Sequence, residues 1–578
     1  MTSTLRDDSE ISRRRFIVGS AAAGGGLALG LDMPLGGAQA QNAGSEVGIW
    51  VVIRPNNTCA IRIARSEMGQ GTLTGLAQLV AEELECDWRR VTTEGLSPGQ
   101  NLARKRAWGN MSTGGSQGIR QSQDYVRRGG AAARMMLLQA AANEWNVPVG
   151  ELTVANGIIR HAATRRQTTY GRVAPAAAKL TPPDPKSIKL KDPKDWKIAG
   201  KPAKRLDTWA KLNGSKVYSI DLRLPGMLNA AIKDAPVYGS KISSVDDSKT
   251  AKMPGVRKVV RVKDTAIAVV ADTWWQAKNA LDALTVTWDE GENAKVSSAS
   301  IARHVETGLM ATETNGDRRN GDALAAIAGA KKKVEATYST PFLSHACMEV
   351  NNATVRITAD RAECWAPTQN LEATLAALAS ESGLPLAQCE VHRHDLGGGF
   401  GRRGGTQDYV RKAVVVAKEF PGVPVKTIWS REEDQAHDYF RPISMCKFAA
   451  GLDENNNPGR AARPRVGPVD QRLAQSGGDG GRSRHAPAAR VLGGARQCPA
   501  RLLGAESPDR VRDAQHPRSG RALAWRQHKS ERLLPGMLHR GGGARRRQGL
   551  AGVPPRLDGQ VPEASCRPQC RSREGRLG

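Results

Sequence analysis

The chain contains no Cys-x-x-Cys pair. Its nine cysteines, at positions 59, 86, 347, 364, 389, 446, 498, 566 and 570, are odd in number and scattered. That spacing excludes an iron–sulfur or zinc cassette. Long hydrophobic runs are missing too: the apolar stretch from Val18 to Leu31 is too short and too rich in glycine to span a bilayer. A third deficit is local. Residues 459–578 hold no Ile, Phe, Tyr, Asn or Thr, and a single lysine, Lys529, against 24 arginines. A segment of that composition has little from which to build a core and reads as a disordered tail.

What is present bounds the rest. A chain of 578 residues is long enough for roughly two to four domains. The formal net charge of +28 taken alone points to a nucleic-acid or membrane partner. The charge is unevenly placed, however. Residues 459–578 carry 25 Lys+Arg and 9 Asp+Glu, a net +16, and residues 1–458 carry the other 60 and 48, a net +12. At the other end, Ser12-Arg13-Arg14-Arg15-Phe16-Ile17, the mildly apolar run and Ala38-Gln39-Ala40 form a twin-arginine signal peptide over residues 1–40. It predicts export of a folded protein to the periplasm, often around a cofactor loaded beforehand, with no membrane span in the mature chain.

Between these ends the pattern is mixed. Residues 48–63 alternate as two strands joined at Pro55-Asn56-Asn57. Apolar spacing predicts helices over 72–85 and about 119–144. Residues 175–205, rich in Lys and Pro, read as an exposed connector. From Gly214 a small α+β unit is expected, with strands at 217–222, 227–232, 256–262, 266–271 and 285–288 and a helix at 274–283. Residues 334–458 return to mixed α/β, with strands near 353–357, 389–394 and 424–428 and helices near 371–383 and 407–418. The expected class is a multi-domain α+β fold, divided as 42–205, 206–295 and 296–458, with the tail at 459–578.

Three glycine-rich loops carry the chemistry. Gly397-Gly398-Gly399-Phe400-Gly401-Arg402-Arg403 follows a predicted strand and precedes a predicted helix. Its glycines let backbone amides approach a ligand, and a helix start favours anions. No Gly-Lys-Ser/Thr follows, and the spacing is not that of a dinucleotide loop; alone, it is as readily a tight turn. Glu67-Met68-Gly69-Gln70-Gly71-Thr72 repeats the design, with a helix cap as its plain alternative. Thr113-Gly114-Gly115-Ser116-Gln117-Gly118 is the third. Three such loops suggest one extended, polar, anionic ligand. Trp365-Ala366-Pro367-Thr368-Gln369 lies upstream of Phe400, and Ser344-His345-Ala346-Cys347-Met348-Glu349 lies before that. His345 by itself is more often a core or surface histidine than a catalytic one, and Glu349 reads equally as a buried, paired carboxylate.

Together these motifs resemble the molybdenum hydroxylase family of xanthine dehydrogenase and aldehyde oxidase, most closely the isoquinoline 1-oxidoreductase beta-subunit group. The resemblance covers residues 12 to about 458. Leu224-Pro225-Gly226-Met227-Leu228 and Ala271-Asp272-Thr273-Trp274-Trp275-Gln276-Ala277 look like the family's α/β hammerhead domain, here placed at 206–295. The resemblance implies a molybdenum–molybdopterin cofactor, in its cytosine dinucleotide form, held through the pterin dithiolene with no protein metal ligands. It implies that Gln369 hydrogen-bonds the oxo group on the metal and that Phe400 stands at the reacting centre. Gly398, Gly399, Phe400 and Gly401 would line metal and pterin. Gln70, Gly71, Ser116, Gln117 and Gly118 would hold the pterin and its phosphates. The implied reaction is hydroxylation of an aldehyde or N-heterocycle with water as the oxygen source. Electrons would leave through 2Fe-2S clusters on a separate small iron–sulfur subunit, with a cytochrome c as a candidate acceptor.

The tail departs from this pattern. Codons for Leu523 to Arg540 can be chosen so that a neighbouring frame spells a Pro-Trp-Arg-Gly stretch like the one this group carries downstream. Residues 459–578 are therefore expected to be a frameshifted product. The family's general-base glutamate, near the C-terminus, is then expected to be absent and the chain inactive. The competing expectation is a secreted basic nucleic-acid-binding protein that uses the Arg-rich tail.

Overall fold

The computed structural model describes residues 44–310 and 322–456, and the backbone alone of 458–466. The expected signal peptide and the tail beyond Val466 lie outside the described residues. The architecture is multi-domain α+β, with five sheets among the described residues.

The first unit is a four-stranded sheet in the order Ser45–Glu46, Val51–Ile53, Cys59–Ile63, Val91–Gly95. Helices Thr72–Leu84 and Gln123–Trp145 pack on one another beside it. Their crossing is close: a Cβ on Gly130 would lie 2.5 Å from the carbonyl oxygen of Val80, so glycine is what lets the two backbones meet. The helix expected at 119–144 is in fact two, Gln117–Arg120 and Gln123–Trp145. The break falls at Ser122, which is fully buried. Its hydroxyl accepts from Arg65 Nε at 3.0 Å and Tyr125 Oη at 2.6 Å.

The central sheet has seven strands in the order Val256–Val262, Ala266–Ala271, Leu228–Asp234, Val425–Trp429, Asn352–Ile357, Ala362–Ala366, Cys389–Arg393. Every residue of Ala266–Ala271 is buried, which explains its unbroken apolar run. Leu228–Asp234 and Val425–Trp429 pair in parallel, so the 206–295 and 296–458 units share one sheet. Helices Leu371–Ser382 and Asp408–Lys418 pack against this sheet.

Three expectations change here. Residues 217–222 are not a strand but a short 3-10 turn at Ser219–Asp221. The Asp221 carboxylate accepts from the Tyr218 amide at 3.0 Å. The buried Lys426 ammonium takes the carbonyls of Ile220 and Leu222, which a ladder would otherwise use. Strand Lys241–Asp246, which the pattern did not predict, pairs with Thr285–Asp289. A three-stranded sheet of Lys332–Thr340, Ser444–Leu452 and Pro458–Val466 carries paired backbone past the boundary expected at 458.

Candidate functional site

Loop one, between Cys59–Ile63 and the Thr72–Leu84 helix, is organised by Glu67. This side chain is fully buried. Its carboxylate accepts from the amides of Gly69 (2.9 Å), Gly71 (3.0 Å) and Leu73 (2.9 Å) and pairs with Arg205 at 3.1 Å. The Gly71 N–H is thus taken by the protein itself. Gln70 folds over its own turn: Oε1 accepts from the Met68 amide at 2.7 Å and Nε2 donates to the Ser66 carbonyl at 2.9 Å.

Loop two is tied to loop one and to Gln369 through Thr113. Its hydroxyl accepts from the Ser66 amide at 2.8 Å, and its amide donates to the Gln369 carbonyl at 2.7 Å. Loop three is fastened by Glu349 and Arg403. Glu349 Oε2 accepts from the Gly397 amide at 2.8 Å and pairs with Arg403 at 3.1 Å; Oε1 accepts from the Ile220 amide and from Asn352 Nδ2, both at 3.1 Å. Of its two readings, the buried, paired one therefore holds. Arg403 is fully buried and also donates to the carbonyls of Gly398, Glu349 and Val350. The helix after this loop begins only at Asp408, so Gly397–Gly401 do not form its first turn.

Gln369 joins loops two and three. It is buried, its Nε2 donates to the Thr113 carbonyl at 3.0 Å, and its Oε1 accepts from the Gly401 amide at 2.8 Å. One N–H of the carboxamide remains to face a ligand. Gly399 packs so tightly on this bridge that a Cβ would lie 2.6 Å from Gln369 Oε1 and 3.0 Å from Met68 Sδ. Phe400 has φ 50°, left-handed for a bulky residue, and its side chain is half exposed.

All three loops open on one cavity of about 1330 Å³. Gln70, Ser116, Gln117, Gly118, Gln369, Gly399, Phe400 and Gly401 line it; Gly71 and Gly398 do not. Among the described residues, the amides of Gly114, Gly115, Ser116, Gly399 and Phe400 donate to no protein acceptor. A ring of such donors suits a polar, anionic ligand.

A charged network backs the cavity. Arg402 is buried and donates twice to Asp408, at 2.7 and 2.8 Å, while its Nε lies 2.7 Å from Asp438. Burial works against the Arg402 charge, but Asp408 and Asp438 outweigh it and raise its pKa. Burial would likewise raise the Asp438 carboxyl, yet bonds from His345 hold it below its ordinary value. His345 is buried, with Nδ1 2.8 Å from Asp438, which places it in the supporting layer. Sequence reasoning missed Asp438, Arg205 and the capping role of Glu67. No local signal marks them: His345 and Asp438 stand 93 residues apart.

Two family models, each described as a molybdopterin cofactor-binding domain, match residues 5–212 and 306–458. The chain belongs to the molybdenum hydroxylase family. Its large-subunit relatives include the beta chain of isoquinoline 1-oxidoreductase from Brevundimonas diminuta, 28% identical over 77% of this chain and 62% of that protein. The membrane-bound aldehyde dehydrogenase of Gluconacetobacter polyoxogenes, whose name carries pyrroloquinoline-quinone, is 30% identical over 78% of this chain and 60% of its own length. A nicotinate dehydrogenase subunit from Pseudomonas putida is 26% identical over 71% of this chain and 34% of its own. The chain spans about 60% of the length of the first two relatives. Loops one and two fall within the first matched region and loop three within the second.

Proposed function

We propose that this chain is the cofactor-binding part of an exported molybdenum hydroxylase that oxidises an aldehyde or an N-heterocycle, with water as the oxygen source. One observation carries the reading: three glycine-rich loops from both matched regions line a single cavity, and among the described residues loops two and three present amides with no protein acceptor. These residues fit a polar, phosphate-bearing cofactor such as the cytosine dinucleotide form of molybdopterin. Ser116, Gln117 and Gly118 would hold its anionic end, and Gly399, Phe400 and Gly401 its pterin and metal end. Gln70 would add a side-chain contact. Gly71 and Gly398 would act by shaping their loops, because neither lines the cavity. When bound, the cofactor supplies a two-electron oxidation of an electron-poor carbon.

The chain's own groups then orient and exclude. Gln369, which lines the cavity and keeps one carboxamide N–H outside these bonds, would hold loops two and three at one spacing. Phe400, whose half-exposed ring also lines the cavity, can pack on a flat substrate. The lack of a cysteine cassette supports a separate 2Fe-2S subunit, and the names of the isoquinoline and nicotinate relatives, each one chain of several, agree with a multi-chain enzyme. A cytochrome c fits as final acceptor for a periplasmic enzyme delivered by a twin-arginine signal. No helix among the described residues is long and apolar enough to cross a membrane. Residues 206–295 would be the family's hammerhead unit.

The Arg-rich composition of 459–578 supports a frameshift, and with it an inactive polypeptide. The nucleic-acid reading rests on that tail alone and gains nothing from the relatives. Sequencing the source DNA around codon 459 tests the frameshift. Expression of the chain as given and with its frame restored tests the rest. The restored protein should oxidise benzaldehyde or isoquinoline with an artificial acceptor, and the chain as given should not. Normal turnover by the chain as given would refute the inactivity.

A further inference from the structure

At the wall of the same cavity, which Asp234 and His437 line, three donor side chains converge. Asp234 closes the Leu228–Asp234 strand, and Glu433 and His437 stand one helical turn apart in and just beyond the Arg431–Ala436 helix. One ligand atom from each lies within 4.8 Å of the other two. The helical spacing turns Glu433 and His437 to one side, with His437 Nε2 3.8 Å from Glu433 Oε2. Both ring nitrogens of His437 are buried, and among the described residues neither has a hydrogen-bond partner. A half-buried imidazole whose two buried nitrogens make no hydrogen bond calls for a ligand.

The neighbours leave room for one. Glu433 Oε2 accepts from the Asp234 amide at 3.1 Å, which leaves its other lone pairs open. Asp234 accepts from Trp429 Nε1 at 3.0 Å and from the Lys412 ammonium. That ammonium occupies the Asp234 oxygen that a cation would want. Asp234 and His437 line the cavity, so water can reach a further coordination position.

We propose that Asp234, Glu433 and His437 bind a divalent transition-metal ion of the zinc class. One imidazole and two carboxylates are a donor set that such ions take, with water completing the shell. The ion displaces the Lys412 ammonium from Asp234. It clasps the end of a strand from the 206–295 unit to the helix that follows Val425–Trp429, on the wall of the same cavity. The site stands independently of the molybdopterin reading.

The test uses the full chain, stripped with a chelator and titrated with Zn²⁺ by calorimetry and with Co²⁺ by visible absorption. One saturable equivalent is expected, with Co²⁺ bands of a low-coordinate site. His437→Gln and Glu433→Gln should each weaken binding at least tenfold, and Lys412→Met, which removes the competing ammonium, should tighten it severalfold. Histidines and cysteines elsewhere can hold zinc. Binding that is indifferent to all three substitutions therefore overturns the proposal, as does the absence of saturable binding in the parent. If His437→Gln fails to fold, the parent Co²⁺ spectrum and the Lys412→Met titration decide: a six-coordinate spectrum with no tightening refutes the site.

Discussion

Replacing Gly399 by alanine should unlock the cofactor cavity without touching any charged group. The new Cβ would lie 2.6 Å from Gln369 Oε1, 2.9 Å from its Cδ and 3.0 Å from Met68 Sδ. Met68 can swing aside, but the Gln369 carboxamide is held at both ends, by the Thr113 carbonyl and the Gly401 amide. It must give up both bonds inside a buried site. Each net bond is worth about 1 kcal/mol, and a stranded buried partner adds about 1–3 kcal/mol. A loss of about 3 kcal/mol is therefore expected. Spread over roughly 400 ordered residues at about 2.1 cal/mol/K each, it lowers Tm by roughly 3–4 °C. Calorimetry of Gly399→Ala beside Gly405→Ala, where a Cβ meets nothing within 4 Å, isolates the effect. Equal Tm values for the two variants would refute the reasoning, because the carboxamide would then not be the brace between loops.

Acid stability offers a second check. Burial would raise the Glu363 carboxyl, but bonds from His392 and Arg356 outweigh it and bring its pKa to about 2. A depressed folded-state pKa stabilises above the unfolded value, near 4.5, and that contribution disappears as pH falls from there toward about 2. Glu363→Gln should remove about 3 kcal/mol at pH 7 and flatten the acid limb of urea-unfolding curves below pH 5; an unchanged limb would count against it. Asp438→Asn leaves Arg402 short of one anion and weakens the hold on His345, so a loss of about 3–5 kcal/mol is expected in denaturant titration. Phe400→Gly removes a left-handed bulky residue and should stabilise by about 1 kcal/mol. The same variant should weaken retention of flat substrates, read as a raised KM in the frame-restored enzyme.

Much of the site was legible because its chemistry is local. Glycine clusters beside predicted strands marked loops one and three, a glycine cluster at a predicted helix start marked loop two, and apolar spacing gave the Thr72–Leu84 helix to within a residue. What stayed hidden depends on partners distant in sequence. Glu67 stands inside a quoted motif, yet only the fold shows that its carboxylate takes the loop amides. Residues 217–222 look apolar enough for a strand, but Lys426, far along the chain, claims their carbonyls. Lys241–Asp246 buries only Ile242 deeply, so its alternation is too weak to read. The shared seven-stranded sheet follows from the pairing of Leu228–Asp234 with Val425–Trp429, which no composition shift announces.

The most direct measurement is the molybdenum and pterin content of the purified, frame-restored protein from a host that makes the cofactor, by mass spectrometry of the metal and fluorescence of the oxidised pterin. Close to one of each per chain is expected. A large loss of both is expected in Gly399→Ala, and in Gly118→Leu, whose side chain would run into Thr72. Full pterin occupancy in both variants, with the fold intact, would contradict the claim that these loops form the cofactor site.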